Sequence, residues 1–252
     1  MNPDETDRYS RHLTLPSVGE AGQQKLLASH ALIVGMGGLG SPVAMYLAGA
    51  GVGQLTFADF DTVEVSNLQR QIAHTTQRVG ELKVASAKAQ CLAINPNIVI
   101  NEINYALEAE ELNEIIPTCD VVLDCSDNFP TRFAVNKACV QNKVPLVSGA
   151  AIRFDGQLTV IRPGQANTPC YRCLYNSNTE AAETCAQAGV LGPVVGMIGC
   201  AQAIEAIKVL CDIGETLTGR LVLFDGLNME WTEIRLSKSP DCPVCGPEAA
   251  IV

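Results

Sequence analysis

The chain lacks an excess of basic charge. Its 17 Lys and Arg stand against 27 Asp and Glu, for a formal net charge of −10. That excludes the broad basic surface that nucleic acid or an anionic membrane requires. A compact phosphate ligand stays open, because a local cluster of cations can serve a local charge. No leader-like segment opens the sequence: Met1-Asn2-Pro3-Asp4-Glu5 is polar and acidic. There is no internal repeat and no low-complexity tract. Nor is there an uninterrupted apolar run of membrane length. The longest, Val190 to Leu210, is broken by Gln202, Glu205 and Lys208 and carries Pro193 near its start. It reads as a buried helix with one polar edge. Gly192 and Gly196 give it a GxxxG spacing, which outside a membrane signals close helix packing. The 11 cysteines are odd in number. With no leader, the expectation is a cytoplasmic protein whose thiols are free or bind metal, not a disulfide framework.

What is present fits one sizeable core. At 252 residues and 47% hydrophobic content, the chain suits one large α/β domain, or one domain with a substantial extension. Residues 4–28 read as short helices, with Pro16 separating two pieces. Ala31 to Val34 is a continuous apolar run, as in a parallel strand buried on both faces. Further strands are expected at Gln54 to Asp59, Ile98 to Ile103, Asp120 to Cys125 and Val144 to Ser148. Helices fall between them at 81–94, 108–116 and Phe129 to Asn142. This alternation predicts an α/β fold with a Rossmann-like, doubly wound, mostly parallel sheet. After Gly149 the pattern changes. Gln157 to Arg162 suits an antiparallel strand, and Leu221 to Phe224 with Glu230 to Leu236 suits a hairpin. The parallel sheet is therefore extended by antiparallel strands.

Two features carry chemistry. Cys170-Tyr-Arg-Cys173 and Cys242-Pro-Val-Cys245 are CxxC pairs far apart in sequence. Four thiolates can sit at the corners of a tetrahedron, the closed geometry of a structural zinc site. The second feature is the loop Gly35-Met36-Gly37-Gly38-Leu39-Gly40, between a strand and a small-residue helix. Such a loop exposes backbone N–H groups and a helix N-terminus to phosphate. Asp59, at the end of the next strand, suits a ribose hydroxyl. On these residues alone a nicotinamide-dependent oxidoreductase is a candidate.

Other residues point to a triphosphate. Ser66-Asn67-Leu68-Gln69-Arg70-Gln71 is a polar segment after a strand, and Lys83 follows. Arg70 and Lys83 can neutralise β- and γ-phosphates. Asp127-Asn128 ends the fourth strand, where open α/β sheets bind ligands, and a carboxylate there suits Mg²⁺. Cys185 stands in the polar stretch ahead of the long helix, where a thiolate can be reactive. Cys125, Cys139, Cys200 and Cys211 read as small buried apolar residues.

Together these motifs resemble the bacterial E1-like adenylyltransferases, the ThiF/MoeB/HesA family. The matching stretches are Arg8-Tyr-Ser-Arg11, Gly35 to Gly40, Gly51-Val-Gly53, Asp59, Ser66 to Gln71, Lys83 and Asp124 to Asn128. Cys170 to Cys173, Gly189 to Gly196 and Cys242 to Gly246 complete them. The resemblance implies one E1-like domain over 1–252, with N-terminal helices at 1–30. It implies an ATP-binding half at 31–150 and a carrier-binding, zinc-bearing half at 151–252. It implies that ATP and Mg²⁺ activate the C-terminal Gly-Gly carboxylate of a ubiquitin-like sulfur carrier, of ThiS or MoaD type, as an acyl-adenylate. A thiocarboxylate then forms with sulfur from a separate donor, a cysteine desulfurase or a rhodanese. By resemblance, Gly35, Gly37, Gly38, Leu39 and Gly40 approach the phosphates. Asp59 and Asp61 serve the nucleotide. Ser66, Asn67, Gln69, Arg70 and Lys83 hold phosphate oxygens. Asp127 binds magnesium, with Asn128 beside it. Arg11 matches an arginine that reaches the ATP site of the other subunit, which implies a homodimer. Cys185 matches a cysteine that, in the ThiF branch, forms an acyl-persulfide link to the carrier. Branch marks are divided. Gly192-Pro-Val-Val-Gly196 and Leu223-Phe-Asp-Gly226 look like ThiF, whereas Val147 to Arg153 looks like MoeB; the balance leans to ThiF. A scaffold that binds a ubiquitin-like partner without activating it is the non-enzymatic alternative.

Overall fold

His30–Val34 (β1) is buried at every position, as a strand covered on both faces must be. It pairs in parallel with Gln54–Ala58 (β2) on one side and Val121–Asp124 (β4) on the other. In this computed structural model, residues 1–165, 167–175 and 188–246 are described. Val99–Ile103 (β3) adds beyond β2, and Leu146–Ile152 (β5) beyond β4. Three antiparallel strands follow: Asp155–Ile161 (β6), Arg220–Asp225 (β7) and Glu230–Arg235 (β8). The eight strands form one sheet in the order β3-β2-β1-β4-β5-β6-β7-β8.

Helices cover the parallel half on both faces. Gly19–Ala28 (α3), Gly40–Ala50 (α4), Lys83–Ile94 (α5) and Gly192–Cys211 (α9) pack on one face around Ile33, Leu47 and Ile198. On the other face lie Ala109–Ile115 (α6), Phe129–Asn142 (α7) and the short Tyr171–Leu174 (α8), around Leu32, Val122 and Val135. By length and composition α9 could cross a membrane. Instead it packs against β4, β5, β6, α3 and α4, as a buried helix with a polar edge should.

Most element ends shift by one or two residues from expectation, and two segments differ by more. The N-terminal segment folds as three helices, Pro3–Arg8 (α1), Ser10–Leu13 (α2) and α3, because a turn at Tyr9 breaks the first piece. Tyr9 is buried, and its hydroxyl accepts from Asn95 Nδ2 at 2.9 Å. β5 continues past Ser148, through Gly149, to Ile152. A side chain at Gly149 would collide with Gln202 of α9, so the glycine lets that helix lie against the strand.

Candidate nucleotide site

In the parallel half, the chain leaves β1 towards β2 and leaves β4 towards β5, in opposite directions. A crevice opens at such a switch point, outside the carboxyl ends of the strands. Here it is a cavity of about 790 Å³. The glycine loop forms its floor. Gly35 is left-handed (φ +94°), and a Cβ there would come 2.7 Å from the Cys125 carbonyl oxygen. A Cβ on Gly40 would overlap the Gly35 carbonyl. The loop is also held from outside. Met36 N–H donates to Asp59 Oδ2 at 2.7 Å. The Met36 carbonyl accepts from His74 Nε2 at 2.9 Å, which leaves Nδ1 to accept from the Ser86 hydroxyl at 3.0 Å. Burial lowers the pKa of His74 and keeps this imidazole neutral. α4 begins in the same loop with no side-chain cap, but Ser41 N–H donates to the Gly37 carbonyl at 3.0 Å and Pro42 has no N–H, so an anion in the cavity would meet the loop residues Gly37, Gly38 and Leu39 rather than the helix's first turn.

Charges converge on the cavity wall. Lys83, the first residue of α5, is buried with its Nζ 2.7 Å from Asp61 Oδ2. Asp59 Oδ1 accepts from Asp61 N–H at 2.9 Å. Burial raises the Asp59 pKa, and nearby Lys83 opposes that shift. Arg70 is half-buried and donates to the Ser66 carbonyl at 3.1 Å. Opposite stand Asp127, exposed, and Asn128, whose Oδ1 caps α7 by accepting from Thr131 N–H at 3.0 Å. An exposed carboxylate at this rim has lone pairs to offer and fits a hard cation such as Mg²⁺.

Gly35, Gly37, Gly38, Leu39, Asp59, Asp61, Arg70, Lys83, Asp127 and Asn128 all line this one cavity. Gly40, Ser66, Asn67 and Gln69 do not. Gly40 is buried under the loop. Asn67 instead organises its own 3-10 turn, its Oδ1 accepting from Glu64 N–H at 3.2 Å. Arg11 is exposed on α2 and does not line its own chain's cavity. Cys185 lies outside the described residues.

The four knuckle thiols meet as expected. Sγ of Cys170 lies 3.6 Å from Sγ of Cys242, and Cys173 lies 3.4 Å from Cys245. All four lie within 4.8 Å of one another. A disulfide needs about 2.05 Å, whereas zinc with bonds of about 2.3 Å sets tetrahedral sulfurs roughly 3.8 Å apart. The donor set therefore fits zinc with no open position. Ser239 N–H donates to Cys173 Sγ at 3.4 Å, as an outer partner should. The other thiols behave differently. Burial pushes Cys91 up to about 12 and Cys119 up to about 11, so both stay protonated. Cys125, Cys139 and Cys211 are buried as expected, while Cys200 is half-buried.

Residues 9–244 match the ThiF family. The chain belongs to that family. It is 47% identical over 246 residues to the molybdopterin-synthase adenylyltransferase of Escherichia coli K12, covering 98% of each chain. It is also 47% identical over 246 residues to the sulfur carrier protein ThiS adenylyltransferase of the same strain, covering 98% of this chain and 97% of that one. Among solved structures, Escherichia coli MccB with ATP has a TM-score of 0.81 at 26% identity, over 95% of this chain and 74% of that one.

This ThiF-family cavity also has walls that sequence reasoning did not single out. Arg132 of α7 is buried beneath the Asp127 loop, donating to the carbonyls of Ser126 and Gly149 at 2.5 and 3.0 Å. It lies 3.9 Å from Asp124, whose oxygens accept from the hydroxyls of Ser126 and Ser148 at 2.6 and 3.0 Å. Tyr171, within the first knuckle, and Tyr175, just after it, meet Phe129 and Phe133 edge-on in an aromatic group. Tyr175 reaches β6, donating to Gln157 Oε1 at 2.6 Å. Spacing could have flagged Arg132, one helical turn after Asn128. The tyrosines needed the knuckle's position.

Proposed function

We propose that this chain is an ATP-dependent adenylyltransferase acting on the C-terminal carboxylate of a ubiquitin-like sulfur carrier protein. The observation that carries the reading is the single cavity that gathers the glycine loop, Asp59, Arg70, Lys83 and Asp127 in a ThiF-family chain. The carrier carboxylate is already an anion, so no strong general base is needed. One of its oxygens attacks the α-phosphorus. The new O–P bond forms as the bond to the β-phosphate oxygen breaks, and pyrophosphate leaves. The residues contribute positioning and charge stabilisation. Loop N–H groups hold phosphate, and Asp59 holds ribose. Arg70 and Lys83 neutralise the departing pyrophosphate. Asp127, with Asn128 beside it, would hold Mg²⁺, which supplies charge neutralisation when bound.

The remaining assignments belong to the same proposal. The carrier approaches across β6–β8 so that its tail enters from the antiparallel half. Arg11 serves the cavity of a second copy in a homodimer. The four knuckle cysteines hold a structural zinc. Sulfur comes from a separate donor protein, and Cys185 takes part in that later step. Equal identity to a ThiS and a molybdopterin-synthase adenylyltransferase leaves the carrier to experiment.

The test is carrier-dependent ATP–pyrophosphate exchange with purified protein, run separately with a ThiS-type and a MoaD-type carrier. Exchange with one carrier supports the reading and chooses the branch, and exchange with both marks a shared activator. Carrier binding without exchange in a zinc-loaded dimer would overturn it in favour of a scaffold.

A further inference from the structure

Gln71 follows Arg70 and lines the cavity beside Gly37. Its side chain is almost wholly enclosed, at 3% exposure for the residue. Its backbone is satisfied: N–H donates to the Asn67 carbonyl at 3.0 Å, and its own carbonyl accepts from His74 N–H at 3.1 Å. Its side-chain amide is not. Oε1 is buried with no hydrogen-bond partner. No described residue pairs with Nε2, the side-chain atom closest to Gly37, 3.6 Å from where a Cβ would stand.

A buried, unpaired carboxamide is unfavourable, and a methionine or leucine would fill the space without that penalty. The side chain is therefore not explained by the protein's own packing. It stands where the backbone is stripped of side chains on both sides of the loop, at Gly37 and Gly38. Arg70 and Lys83 bring charge to the same cavity. An amide adds a donor with fixed direction and no charge to desolvate.

We propose that Gln71 is a binding residue for the triphosphate, its Nε2 donating to a phosphate oxygen beside Gly37. The inference rests on the nucleotide reading above. It predicts a residue kept at the expense of stability in the ligand-free chain.

The test compares the parent chain with Gln71→Met. Three quantities are read: the melting temperature without ligand, its rise with Mg·ATP or with adenosine, and the KM for ATP in carrier-dependent pyrophosphate exchange. The expected result is a ligand-free melting temperature equal to or above the parent's. KM for ATP rises about tenfold or more, the loss of one charge-assisted hydrogen bond. The Mg·ATP rise shrinks, while the adenosine rise is retained because adenosine carries no phosphate. Retained adenosine protection also shows that the variant is folded. An unchanged KM and an unchanged Mg·ATP rise would overturn the proposal. So would a ligand-free melting temperature several degrees below the parent's, which marks Gln71 as structural. A parent chain that answers to neither ATP nor carrier would instead sink the nucleotide reading, and Gln71's role with it.

Discussion

One sheet is covered in two ways. Every residue of β1 and β4 is buried, whereas all six residues of β8 are exposed. Parallel strands need crossover helices, and those helices cover both faces. Two of the antiparallel connections, β5–β6 and β7–β8, are short turns; the long one between β6 and β7 carries α8 and α9, and α9 packs against β4, β5 and β6. Trp231 and Ile234 are nearly half exposed although their types suit a core. The difference teaches that apolar content does not by itself mark what the fold buries. In β1 it builds the scaffold. In β8 it is left at the surface, next to the cavity whose lining draws on both halves, Lys83 and Asp127 from one, Gln157 and Thr232 from the other.

That contrast can be tested from its strongest consequence downward. The largest effect is expected at the knuckles, which tie the end of the antiparallel half to α8. Cys245→Ser, or chelation of the zinc proposed there, should lower the melting temperature by about 10 °C or more, as loss of a structural metal converts to folding energy. Calorimetry with metal analysis checks it; an unshifted transition in metal-free protein would refute a structural role. Asp127→Ala comes next. Pyrophosphate exchange should fall by roughly a hundredfold or more, while the melting temperature holds because the side chain is exposed. Unchanged turnover would overturn the proposed magnesium role of Asp127.

The sheet itself supplies a matched pair. Ile33→Ala in β1 should cost about 2–5 kcal/mol, and Ile234→Ala in β8 only about 0.5 kcal/mol or less. Equal urea midpoint shifts would erase the distinction between the halves. The smallest effect is a pH dependence. His74 is held neutral by burial, its pKa below the ordinary 6.5. Between its folded value and pH 6.5 the unfolded chain binds a proton that the folded chain does not. The contribution is fully present above pH 6.5 and is lost as pH falls through that window. A His74→Phe variant should show a flatter stability profile there, and an unaltered slope would count against the neutral imidazole.

Much of this was legible before any coordinates. The strands of the parallel half could be read from continuous apolar runs, because burial on both faces leaves no other composition. The glycine loop and the two CxxC pairs were legible because each has a fixed local geometry. Less legible was what depends on approach between distant segments. Gly149 reads as a strand breaker until Gln202 is seen against it. Ser66, Asn67 and Gln69 read as ligand contacts, yet Asn67 is occupied within its own turn. Arg132 looks like an ordinary polar residue, and Gln71 reads only as the end of the polar segment from Ser66; enclosure sets both apart.

The thiol cluster has one more consequence, in chain entropy. Cys170 and Cys242 are 72 positions apart, and the loop between them contains α9, β7 and β8. A metal retained by both pairs on unfolding would close that loop in the unfolded chain as well as the folded one. By the entropy of cross-linking, a closure of this length restricts the unfolded ensemble by about 4 kcal/mol. The least covered strands of the sheet thus lie within a ring that the thiol cluster would clasp.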